Sequence, residues 1–147
     1  MPKLILFAVC EKVILDGQNN ASIINVVHGL QAAIPTQGPI IGPIPRNAVA
    51  PTTWSIFALW KPAPGDTDKE FLQKSEVLWP DGTVFNTTEA PFKFVGNKTH
   101  QNAINVLGFP VGQIGDVTVN LWVEHDRKRV GEIHSWTIAV THKQPPN

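Results

Sequence analysis

The chain has 147 residues, with 12 basic and 12 acidic side chains and hence no formal net charge at neutral pH. That length fits one domain able to bury a real core, and the charge balance offers no basic footprint for nucleic acid or an anionic membrane. Thirteen prolines and eleven glycines, set among many Val, Ile, Thr and Trp residues, favour strands and loops over helices.

The opening "MPKLILFAVCEK" has one lysine and a short apolar stretch, marginal even for a signal h-region. Val9 stands where a lipoprotein cleavage site wants a small residue before its cysteine. No apolar run approaches the roughly 18 residues that span a bilayer. One cysteine excludes an intrachain disulfide. The expectation is a cytoplasmic protein, in which the Asn-x-Ser/Thr triplets at Asn20, Asn86 and Asn97 are ordinary polar turn residues.

"KLILFAV" (3–9) reads as a strand buried on both faces, and "ASIINVVHGL" (21–30) as its β-branched partner. The "DGQNN" between them is turn chemistry, because Gly and Asn tolerate positive φ and Asp bonds its own backbone. Residues 35–51 hold five prolines. Proline gives no ladder hydrogen bond, so this stretch is a crossover connection rather than a central strand. Ile40, Ile41 and Ile44 make it too apolar for a solvated linker, and it is expected to lie against the sandwich or a partner.

"TTWSIFALWK" (52–61) has two apolar faces, Trp54, Ile56, Ala58 and Trp60 on one, Phe57 and Leu59 on the other. A loop follows, then a strand at 71–79, the turn "PDG" (80–82) and a short "TVF". Further strands are expected at 92–96, 100–109, 116–126 and 130–142, with a frayed tail at 143–147. With a turn at Arg127-Lys128, Val123 faces Glu132, Leu121 faces His134, Val119 faces Trp136 and Val117 faces Ile138. The valine face is then core. The opposite face is polar apart from Trp122 and Ile133, an apolar pair that is a candidate protein contact. Eight or nine short strands without a helical period indicate an all-β, antiparallel β-sandwich with an immunoglobulin- or C2-like layout, in one domain over 1–147.

Catalytic chemistry finds little support. Glu11 follows Cys10 in a strand and points to the opposite face, so it cannot be the base that makes a thiolate. Cys10 is expected to pack as a small buried hydrophobe. The five histidines, His28, His100, His125, His134 and His142, lack metal-ligand spacing. Asp66 and Asp68 form one D-x-D, thin support for a calcium loop. "GPIIGP" (38–43) lacks the ending of a phosphate cradle. No catalytic, cofactor or metal residues are assigned.

"AVCEKVILDGQNNASIINVVHGL" resembles the opening of a group of small bacterial proteins known only as a domain of unknown function. Those start with an apolar strand, a Cys and an acid, a polar tip, then "Ser-Leu-Ile-x-Val". "LGFPVGQIGDVTVNLWVEHDRKRVGEIHSWTIAV" (107–140) is similar to that group's closing strand–turn–strand. The resemblance covers about half of the chain. It implies a β-sandwich and no activity, and residues 35–51 lie outside it.

The expected function is a non-enzymatic binding or assembly module in the bacterial cytoplasm or a phage-like particle. It would self-associate as a homo-oligomer or dock on a protein partner through Ile40, Ile41, Ile44, Trp122 and Ile133, without nucleic acid, membrane or cofactor. The alternative is a metal- or carboxylate-dependent enzyme with a site gathered between loops.

Overall fold

A computed structural model describes residues 1–33 and 44–143. Their regular elements are all strands: β1 (Lys3–Leu15), β2 (Ala21–Val26), β3 (Gly29–Ala32), β4 (Val49–Lys61), β5 (Phe71–Leu78), β6 (Val84–Phe92), β7 (His100–Pro110), β8 (Gly115–His125) and β9 (Lys128–His142). β-Branched and aromatic side chains at alternate positions stock these segments, as a half-buried pleated surface requires.

The strands form two sheets, one in the order β2-β1-β4-β7 and one in the order β3-β9-β8-β5-β6. Every pair is antiparallel except β3 with β9, which run parallel from Gly29↔Ala139 to Ala32↔His142. The sandwich is therefore mixed at this one edge. The indole Nε1 of Trp136 donates to the Val27 carbonyl at 2.7 Å and anchors the crossing into β3.

Val9, Trp54, Ile56 and Val106 from the first sheet meet Val77, Val117, Val119, Leu121, Ile138 and Val140 from the second to form the core. Across this layer Trp60 Nε1 donates to Gln73 Oε1 at 2.8 Å, and Asn102 Nδ2 donates to the same oxygen at 3.0 Å. Phe7 packs edge-on against Trp136 with centroids 5.9 Å apart.

Several expectations need correction. The segment 21–30 is two strands in different sheets. The chain leaves β2 after Val26; Asn25, at φ 52°, lies just before that point, and its carboxamide donates to the Glu11 carboxylate. The start of β1 is not buried on both faces, since Ile5 and Leu6 are exposed and only Ala8, Val9 and Cys10 are fully enclosed. No separate strand occupies 92–96, because 84–92 forms the single strand β6. The β8–β9 turn falls on Asp126-Arg127, both at positive φ (51° and 64°), with His125 opposite Lys128. That geometry matches the right-handed twist of a hairpin. Leu121↔His134, Val119↔Trp136 and Val117↔Ile138 stand as expected, but Val123 faces Val130 rather than Glu132. A bulge at Gly131, at φ 81°, absorbs the difference.

Candidate functional site

The site with the most unusual construction lies on the outer face of the first sheet. There β1 and β4 pair Leu6 with Leu59, Ala8 with Phe57 and Cys10 with Ser55. Such outward positions on a sandwich normally meet water. Yet Phe57 is 2 % exposed and Cys10 is 0 % exposed, and Ala8 and Ser55 are buried as well.

The β1–β2 hairpin explains this. Beyond Cys10 the strand β1 leaves β4 and pairs with β2 alone, and its tip arches back across the sheet. Gln101 Nε2 on β7 donates to the Asn19 carbonyl at 2.7 Å and ties the tip down. The tip is shaped by Asp16, whose carboxylate accepts from the backbone N–H of Gln18 at 2.8 Å and of Asn20 at 2.9 Å. These bonds hold the Asp16 carboxyl below its ordinary range.

Between hairpin and sheet lies an open cavity of about 880 Å³. Leu6, Phe57 and Leu59 contribute from the sheet and Leu15 and Ile23 from the hairpin, while Lys98, Thr99, His100 and Gln101 close one side. Its size is that of a ligand or side-chain docking cleft. Leu6 and Leu15 are 42 % and 50 % exposed, so part of the apolar lining faces solvent.

Among the described residues the lining holds no carboxylate, and its titratable side chains are Lys98 and His100. His100 is committed elsewhere: its Nε2 lies 2.9 Å from Asn102 Oδ1 and its ring stacks on Phe92 at 4.8 Å. Cys10 stands on the same sheet face, where burial pushes its thiol pKa up against the smaller opposing effect of the Lys12 backbone N–H. Burial therefore favours the neutral thiol, the less nucleophilic form. Among the described residues the groove combines an apolar floor with a polar rim.

The contact residues named from sequence lie apart from this groove. Ile40 and Ile41 fall outside the described residues. Ile44 is half-buried and lines a second cavity of about 490 Å³ with Arg46, Asp81, Gln113 and His142. There Asp81 accepts from the Thr83 hydroxyl and N–H, from Gln113 and from Arg46, and its pKa falls to about 2. At Gly112 an added Cβ would collide with the carbonyl oxygens of Pro45 and Arg46, so only glycine fits against them.

Trp122 and Ile133 sit on the outer face of the second sheet. Trp122 is half-buried, and its Nε1 lies 3.4 Å from Glu124. Ile133 is 45 % exposed beside the bulge. Around them runs a polar lattice in which Lys74 bridges Glu89 at 3.3 Å and Glu124 at 3.4 Å, and Asn120 links Glu76 to Ser135. The structure thus places this pair within a charged surface.

Asp66 of the D-x-D is buried and accepts the Ala63 N–H at 2.8 Å, which makes it a turn-forming residue. Among the described residues no three His, Cys, Asp or Glu side chains converge to hold a metal ion, and no helix is long and apolar enough to cross a membrane. Sequence reasoning missed Leu6, Leu15, Ile23 and Gln101 as groove residues. The available signal was the second apolar face of β4, Phe57 and Leu59, which needs a cover in any sandwich whose outer face is otherwise polar. No family model matches the sequence, and no curated protein matches it.

Proposed function

We propose that the protein is a non-enzymatic binding module that docks a protein surface, its own or a partner's, on the outer face of the first sheet. One observation carries the reading: a cleft of about 880 Å³ whose apolar lining is partly exposed. Catalysis needs convergent groups of matched acidity, whereas docking needs an apolar floor with a polar rim. Operation in a bacterial cytoplasm or a phage-like particle is consistent with a protein of zero formal net charge that has one buried thiol. The resemblance of the two chain ends to an uncharacterised bacterial sandwich family supports the fold behind this role and adds no activity.

Native mass spectrometry of the full chain tests the proposal, since it reports subunit number and bound mass together. A discrete assembly without added small mass is the expected result. A monomer carrying a stoichiometric metal ion or small molecule refutes it.

A further inference from the structure

Among the described residues β7 pairs only with β4, so one row of its backbone N–H and C=O groups is open. Folded proteins usually guard such an edge with charge, proline, a bulge or shortness. The other outermost strands follow that practice, although Leu4 to Ala8 of β1 is also unpaired on the side away from β4. β6 carries Glu89 and Pro91. The part of β9 not paired with β3 carries Lys128, Arg129, Glu132 and the bulge at Gly131. β2 and β3 are short, at 6 and 4 residues.

β7 departs from the practice. It runs for 11 residues without one Asp, Glu, Lys or Arg. Its breaks come late, at Gly108 with φ 90° and at Pro110. Residues 100–107 lie in unbroken register with 60–53 of β4, so a regular template is presented.

We propose that β7 pairs antiparallel with β7 of a second copy, joining two four-stranded sheets about a two-fold axis. This rests on the binding-module reading and names its partner. A two-fold axis sets a strand against itself, so charges near its centre would meet like charges. β7 has none to oppose. Centred on Ile104, the pairing sets Ala103 against Asn105 and Gln101 against Leu107 on the outer face. Leu107 is 76 % exposed, without a packing role in the single chain. In the pair it lies beside Gln101, at the mouth of the other copy's groove. The arrangement is reciprocal, so each copy supplies a leucine and receives one.

Sedimentation equilibrium of the full chain from micromolar to millimolar concentration tests this, with hydrogen exchange at residues 100–107 read in parallel. Ala103→Lys and Leu107→Lys serve as variants, because both side chains point outward and are exposed. Circular dichroism checks that each keeps the fold. The expected result is a concentration-dependent dimer whose β7 amides exchange more slowly than the monomer's. Each lysine weakens it by roughly tenfold or more. An assembly that neither variant disturbs overturns β7 pairing and leaves the binding-module reading in place. A bare monomer at every concentration also overturns the pairing, and a monomer carrying a metal or small molecule overturns both.

Discussion

Replacing Phe57 with alanine measures whether the hairpin truly roofs the first sheet. On an ordinary solvated outer face this truncation would cost little, within about 0.5 kcal/mol. Here the ring is 2 % exposed beneath the arch of β1 and β2. Removing a buried phenylalanine typically costs about 3–5 kcal/mol from lost transfer energy and the void left behind. The cavity beside the ring already opens to solvent, which limits the new void and favours the lower end, about 3 kcal/mol. For a chain of this size that lowers Tm by roughly 6–12 °C. Urea unfolding followed by tryptophan fluorescence is the assay, with m expected to stay constant. Val95→Ala, at a position 74 % exposed and outside both β7 and the groove, is the internal control and should be near neutral. A loss below about 1 kcal/mol for Phe57→Ala would refute the roof.

Gly112→Ala should destabilise strongly, since its Cβ would enter the space of two backbone carbonyls, while Gly17→Ala meets open space and should be near neutral; thermal unfolding of the two separates them. Cys10 should resist alkylation until the hairpin lifts, and Gln101→Ala should speed the reaction by freeing the tip, as followed by mass spectrometry. The Asp81 carboxyl sits at about 2 against an ordinary 3.8, chiefly because the Thr83 hydroxyl and N–H donate to it. Its folded pKa is the lower one, so its stabilising effect is complete above 3.8 and is lost as pH falls through about 2. Asp81→Asn should therefore be less stable than the parent near neutral pH, with the gap closing in acid; parallel melts across pH give the comparison.

Most strands were legible because period-two patterning is written plainly into β4, β8 and β9. The β8–β9 core register followed from Val117, Val119 and Leu121, and it failed only near the turn. There a two-residue turn and a glycine bulge shift the pairing without altering the pattern of apolar residues. The break between β2 and β3 was not legible, since the Ile and Val residues of "ASIINVVHGL" fall on both sides of it and the contact of Asn25 with Glu11 joins residues 14 positions apart. The groove was half legible. Phe57 and Leu59 announced a second apolar face on β4, but the return of the hairpin depends on Asn19 meeting Gln101, residues 82 positions apart. No local pattern encodes such a meeting. The charge-free run of β7 was present in the sequence, yet it gains meaning only once β7 is known to be an edge.

The parallel pairing of β3 with β9 also bears on the order in which the protein can be completed. Val27 and Trp136, which lock that crossing, stand 109 residues apart. During synthesis the ribosome delivers β3 early and β9 last of the nine strands. Until β9 emerges, β3 has no ladder to join and β8 has a neighbour on the β5 side only. The β1–β2 hairpin, built from adjacent residues, faces no such wait. The nascent chain is thus expected to carry a formed hairpin beside an unfinished second sheet, with final closure deferred until β9 itself has left the exit tunnel.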